Sequence, residues 1–166
     1  MSAAEHRRAA AGSVTWFDVV TLSDTRGPDS DPSGDLIESA LTAAGHECRA
    51  RHHLTDDPAP LAELLEVLAG GPELVVTTGG TGLAPRDNAA DVVARAIERP
   101  LPGFGELFRH LSYAEVGPAA MLSNALAGTR GRQLLVSLPG SRNAVRLALD
   151  ELLVPELPHL LDQLRG

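Results

Sequence analysis

The residues best suited to chemistry in this chain lie in the run Leu74 to Asp87, LVVTTGGTGLAPRD, where an apolar strand runs into a glycine loop followed by a basic and an acidic side chain. Glycine has no Cβ, so Gly79, Gly80 and Gly82 can take positive φ and let a ligand's oxygens come close to backbone N–H groups. Thr77, Thr78 and Thr81 add hydroxyl donors beside them. Such a loop suits phosphate. The pattern is neither the GxxxxGK[ST] loop nor the GxGxxG fingerprint, because no lysine follows and the glycines are spaced differently. An isolated GGTG also fits a plain strand-to-helix turn, so its meaning rests on what the fold brings beside it.

The elements around it read as repeated β-α steps. Val14 to Leu22 is rich in β-branched and aromatic residues, and Ser33 to Ala44 carries Leu36, Ile37, Ala40, Leu41 and Ala44 at helical spacing. His46 to Leu54 and Pro58 to Ala69 form a second step, with Leu61, Leu64, Leu65 and Leu68 as the helical stripe. The third is Glu73 to Thr78, the glycine loop, and a helix from Asn88 to Ile97. Gln133 to Leu138 is a later strand, and Ser141 is placed to N-cap a helix carrying Val145, Ala148, Leu149 and Leu152. Between these lies an insert, residues 100 to 131, with a short helix whose Phe104 and Phe108 are four apart and read as a packed face.

This alternation predicts an α/β fold: a mostly parallel, twisted sheet with helices on both faces, joined by right-handed crossovers. Open sheets of that kind bind ligands beyond the carboxyl ends of their strands. The loops expected there contain Ser23-Asp24, Asp56-Asp57, Gly79 to Asp87 and Pro139-Gly140-Ser141. Carboxylates beside a phosphate loop would repel the ligand unless a cation intervened, and Mg²⁺ is commonly held by one or two carboxylates plus phosphate oxygens.

Composition narrows the classes. A chain of 166 residues fits a single domain, here residues 13–166 after a disordered tail over 1–12. The net charge of −8 and the absence of any lysine argue against nucleic acid as a partner. No apolar run reaches membrane-spanning length. Cys48 is the only cysteine, which excludes an internal disulfide, suits a reducing cytoplasm, and reads as a buried, inert thiol. Arg7-Arg8 lacks the apolar stretch an export signal requires.

Taken in order, Leu22-Ser23-Asp24, Asp31-Pro32-Ser33-Gly34, Asp56, Thr78-Gly79-Gly80-Thr81-Gly82, Arg86-Asp87, Pro102-Gly103-Phe104-Gly105-Glu106 and Leu138-Pro139-Gly140-Ser141 closely resemble the motifs of the molybdopterin adenylyltransferase family of molybdenum-cofactor biosynthesis, the MogA/MoaB group. The resemblance covers about Val19 to Leu164. It implies a three-layer α/β/α sandwich and a nucleotidyltransferase reaction: the terminal phosphate of molybdopterin attacks the α-phosphate of ATP, giving adenylylated molybdopterin and pyrophosphate. It further implies Mg²⁺ as cofactor, a homotrimer or a hexamer of two trimers, and a molybdenum-insertion protein as a partner.

Carried over by position, Asp56 and Asp87 match the family's catalytic acids, acting through Mg²⁺ and nucleotide. Thr78, Gly79, Gly80, Thr81 and Gly82 would hold phosphate, and Ser23, Asp24, Pro139, Gly140 and Ser141 would line the same pocket. Asp31, Ser33 and Gly34 stand at the entrance of the first helix, where amides and dipole favour an anion, although Asp31 or Ser33 also suits a simple cap. Asp57 and Asp91 read as solvated charges. The chain departs from many relatives after the loop's acid, with Asn88-Ala89-Ala90 where they have a Thr-Pro pair. That departure supports an alternative reading, a molybdopterin carrier or scaffold that transfers no AMP. Hydrolysis of a pyridine nucleotide is a third. His52 and His53 are adjacent, so in a strand they face opposite ways and cannot share a metal.

Overall fold

The computed structural model describes residues 12–166. All of the tail expected over residues 1–12 except Gly12 lies outside the described residues. Seven-residue β1 (Trp16–Leu22) leads to α1 (Pro32–Ala43), then β2 (Glu47–Leu54), α2 (Pro58–Val67), β3 (Leu74–Thr78) and α3 (Ala89–Ala96). The chain continues through β4 (Arg99–Pro100), α4 (Pro102–Val116) with a 3-10 turn (Gly117–Leu122), β5 (Leu126–Arg130), β6 (Gln133–Leu138), α5 (Arg142–Ala148), a π turn (Leu149–Leu153) and α6 (Val154–Arg165).

The six strands form one sheet in the order β2-β1-β3-β6-β5-β4. The first four are parallel, so their carboxyl ends share one edge; β5 and β4 add to the far side antiparallel. Because side chains alternate along a strand, Phe17, Val19, Val76 and Val136 pack on one face against Ile37 and Leu41 of α1, Phe104 and Phe108 of α4, and Val145, Leu149 and Leu157. Val20, Val75 and Leu135 meet Leu61 and Leu65 of α2 and Val92 and Val93 of α3 on the other. This is the expected three-layer α/β/α sandwich.

The insert differs from its sequence reading. Its helix runs for 15 residues rather than a short stretch, because Gly103 and Gly105 are tolerated where Pro102 opens the helix and Phe104 and Phe108 bury. Ala127-Gly128-Thr129-Arg130 is a strand, paired with β6 through a two-residue turn at Gly131-Arg132. Cys48 is half-buried rather than buried, its thiol pKa raised first by that burial.

Buried charges fix β1, α1 and β2 to one another. Asp31 N-caps α1 by accepting the Gly34 N–H at 2.9 Å, and its carboxylate also accepts from Thr21 Oγ1 at 2.6 Å, Arg51 Nη2 at 2.5 Å and His53 Nε2 at 3.0 Å. Asp18, with no exposed surface, takes Arg49 at 3.0 Å and His52 at 2.8 Å. The two histidines thus serve separate carboxylates. At the sheet's other edge Arg165 of α6 binds both carboxylate oxygens of Glu73 at 2.7 Å and donates to the Val14 carbonyl at 3.1 Å, tying the last helix to the starts of β1 and β3.

Burial pushes the Asp31 pKa up, but the bonds from Thr21, Gly34 and Arg51 outweigh it and hold the group below the ordinary aspartate value. A folded pKa below the unfolded one contributes stability that is complete above the unfolded value and is lost as pH falls through the folded one. Thermal melts of Asp31→Asn should therefore lie well below wild type at pH 7, by about 1–3 kcal/mol, and approach it below roughly pH 4; a gap independent of pH would rule out the charge as its source. Gly79 has φ +97°, and a Cβ there would strike the Leu22 carbonyl. Gly79→Ala should lower Tm by roughly 4–12 °C, from about 2–3 kcal/mol of backbone strain, and an unshifted melt would show that the loop can relax.

Candidate active site

The parallel register of β2, β1, β3 and β6 brings their following loops together at one edge, and hydrogen bonds then lock the loops to each other. Ser23 N donates to the Leu54 carbonyl at 3.0 Å, and Asp56 N to Asp24 Oδ1 at 2.9 Å, joining the loops after β1 and β2. Gly79 N reaches the Leu138 carbonyl at 3.1 Å, while Thr78 Oγ1 donates to the Pro139 carbonyl at 2.9 Å. Ser33 Oγ donates to the Gly140 carbonyl at 2.9 Å, holding the entrance of α1 against the loop after β6. On the glycine loop's far side, Ala89 N donates to the Gly80 carbonyl and Asn124 Nδ2 to the Thr81 carbonyl, both at 2.9 Å.

Two hollows flank the loop. The smaller, about 240 Å³, is lined by Thr21, Ser23, Thr25, Arg26, Asp31, Ser33, Thr78 and Gly140, a hydroxyl-rich wall with a cation at its rim. The larger, about 700 Å³, lies between Gly82–Asp87, α3 and the start of α4, where Asp87, Asn88, Asp91, Glu106, Arg109 and Asn124 supply polar groups among aliphatic walls. Asp91 is exposed, in keeping with the solvated surface charge read from sequence, and also borders this larger cleft. Asn124 was not anticipated at all, and no local pattern marks it, since its role follows from a contact 43 residues away. Asp57 is exposed and N-caps α2 through the Ala59 N–H at 3.2 Å.

The sequence-predicted residues divide by what already engages them. Asp31 is occupied by four internal donors, Ser33 by Gly140 and Thr78 by Pro139. Ser141 Oγ caps α5 through the Ala144 N–H at 3.3 Å. Asp87 Oδ2 accepts from Ala84 N at 3.2 Å, its carboxylate curled against Gly82, where a Cβ would come within 2.5 Å of it. Asp56 differs from these: its Oδ1 is buried and has no hydrogen-bond partner among the described residues, as is also true of Thr77 Oγ1 in β3. Asp56 lies beside Gly80, which has φ +63° and where even a methyl group would sit 3.4 Å from Oδ1.

Burial first, then the charges of Asp24 and Asp87, raise the Asp56 pKa above the ordinary aspartate value, with Arg86 opposing them. A buried carboxylate oxygen with no donor is expensive, so the arrangement favours a cation or proton there. Hard carboxylate oxygens suit Mg²⁺. Among the described residues no three His, Cys, Asp or Glu side chains form a ready-made metal cage. By chemistry alone, the carboxylate oxygens of Asp56 and Asp87 are of the kind such an ion takes, Asp87 with one oxygen already bonded to Ala84 N. Likewise, no helix among the described residues is long and apolar enough to cross a membrane.

This architecture has close counterparts among known proteins. The family model described as "Probable molybdopterin binding domain" matches residues 18–159. Molybdenum cofactor biosynthesis protein B of Staphylococcus carnosus is 45% identical over 150 residues, covering 88% of each chain. The protein of the same name from Bacillus subtilis is 41% identical over 170 residues, covering 99% of this chain and 98% of its own. The tungsten cofactor synthesizing protein MoaB from Pyrococcus furiosus superposes with a TM-score of 0.84 at 37% identity, covering 94% of this chain and 100% of its own. The molybdopterin biosynthesis Mog protein from Mycobacterium ulcerans gives 0.82 at 28%, with 90% and 99% covered. Matched over nearly its whole length by this model and by these relatives, the chain belongs to the molybdopterin-binding-domain family of molybdenum-cofactor biosynthesis proteins.

Proposed function

We propose that this protein is a cytoplasmic nucleotidyltransferase that moves AMP from Mg-ATP to the terminal phosphate of molybdopterin and releases pyrophosphate. The observation that carries the reading is the unpartnered Asp56 Oδ1 beside Gly80, with Asp24 and Asp87 close enough to raise its pKa. A purely structural carboxylate would have found donors, as Asp31 did.

In the transfer, an oxygen of the pterin phosphate forms a bond to the α-phosphorus while the bond from that phosphorus to the bridging α,β oxygen breaks, and the electron pair leaves with pyrophosphate. A phosphate monoester is already charged at neutral pH, so no side chain has to remove a proton from it. The work of the chain is to bring two anions into line and to stabilise charge on the leaving group. The glycine loop offers backbone donors without side chains in the way, and the hydroxyls of Ser23 and Thr25 line the neighbouring hollow. Asp56 and Asp87 would hold Mg²⁺, which when bound neutralises phosphate charge.

The carrier alternative has its own support at Asn88, whose Nδ2 donates to the Pro85 carbonyl at 3.3 Å and so serves the loop's own turn. Mixing protein, molybdopterin and Mg-ATP should release pyrophosphate, and Asp87→Asn should lose at least about tenfold of the rate with an unchanged melt. Tight pterin binding without pyrophosphate would establish the carrier; unchanged release from Asp87→Asn would remove that residue from the reaction. We also propose the trimeric assembly, or a hexamer built from two such trimers. Exposed Leu107, Tyr113, Val116, Met121 and Leu122 give α4 and the following turn an apolar surface that suits burial between subunits. Light scattering should give a mass of three or six chains, and a monomer would reject the assembly.

A further inference from the structure

Arg86 sits in the glycine loop, directly before Asp87, with its side chain 69% exposed. Its Nη1 lies 3.7 Å from Asp24 Oδ2, a long contact to a carboxylate whose other oxygen holds the Asp56 N–H. It is also the cation whose charge opposes the effect of Asp24 and Asp87 on Asp56. Among the charges acting on Asp56, one guanidinium does not balance Asp24, Asp87 and Asp56 itself, so this corner of the crevice is electronegative, while Arg26 and Arg109 lie farther out in the flanking hollows. Free triphosphate would be repelled, whereas a triphosphate carrying a divalent cation would not. An exposed ion pair of this length contributes little stability, so exchanging its partner costs little. The bidentate fork of arginine is far better matched to a phosphate.

We propose that Arg86 is an exchangeable counter-ion: it pairs with Asp24, then turns to a nucleotide phosphate when a nucleotide–divalent complex enters. This rests on the nucleotide reading above. Removing Arg86 should then have opposite effects on two affinities. A divalent ion alone should bind better, because a competing positive charge is gone. The nucleotide complex should bind worse, because a phosphate contact is lost.

The test uses Mn²⁺, followed by electron paramagnetic resonance, and the unreactive α,β-methylene analogue of ATP, followed by calorimetry. Arg86→Gln should bind Mn²⁺ alone about two- to tenfold more tightly and the Mn²⁺–analogue complex about 10- to 100-fold more weakly. Arg86→Lys, which keeps the charge and loses the fork, should bind Mn²⁺ alone as wild type does while recovering only part of the nucleotide affinity. If neither constant moves in Arg86→Gln, the residue is a solvated surface charge; if both weaken together, it supports the loop, and either result overturns the proposal. Wild type that binds the analogue equally with and without divalent ion would overturn the metal-assisted reading as well. Divalent-dependent binding that is identical in wild type and Arg86→Gln would sink the Arg86 role alone.

Discussion

Asp31 is the interaction on which the rest of the crevice depends. A buried carboxylate without partners would be destabilising by several kcal/mol, and this one is compensated only where Thr21 of β1, Gly34 of α1, and Arg51 and His53 of β2 all converge. Satisfying it fixes the entrance of α1. That entrance holds Ser33 against the Gly140 carbonyl, and the loop bearing Gly140 lies against Gly79, with a Cβ on Gly140 only 3.3 Å from the Gly79 Cα. The glycine loop is thus positioned from the side by a chain of contacts that begins in a charge cluster, as well as from below by β3.

Set beside Asp56, Asp31 shows how one residue type serves two ends. Both lie at the carboxyl edge of the sheet, and both feel burial as a force that disfavours charge. At Asp31 donors overturn that force; at Asp56 neighbouring carboxylates add to it. The first arrangement spends its hydrogen-bonding capacity on architecture. The second leaves one oxygen without a hydrogen-bond partner among the described residues, and it is on this oxygen that the proposed cation site rests.

The β-α repeats, the glycine loop, the Asp31 and Ser141 caps and the strand-end loops were legible because each is written in local spacing or in a short motif. What escaped was non-local. The strand Leu126–Arg130 carries Ala127 and Gly128 where β-branched residues usually signal a strand; it forms because β6 pairs with it, while Ile97 and the Arg99 carbonyl leave no room for a Cβ at Gly128. The strand order, the service of His53 to Asp31, and the cleft shared by Asp91, Glu106 and Asn124 depend on which elements end up adjacent. Asp91 in particular is a solvated charge on α3, and only the position of α4 makes it one border of a cleft.

The clasp of Arg165 on Glu73 and Val14 carries a topological consequence. It brings the first strand and the last helix within one side chain's reach, at the sheet edge opposite the crevice. A short linker could span that gap, so the chain could be circularly permuted, reopened at the exposed Gly70-Gly71 turn on the same edge, with every active-site loop left unbroken. The order in which the β-α units are written along the polypeptide is therefore separable from the crevice they build, which depends on the strands lying parallel and ending together and on the contacts that join their loops.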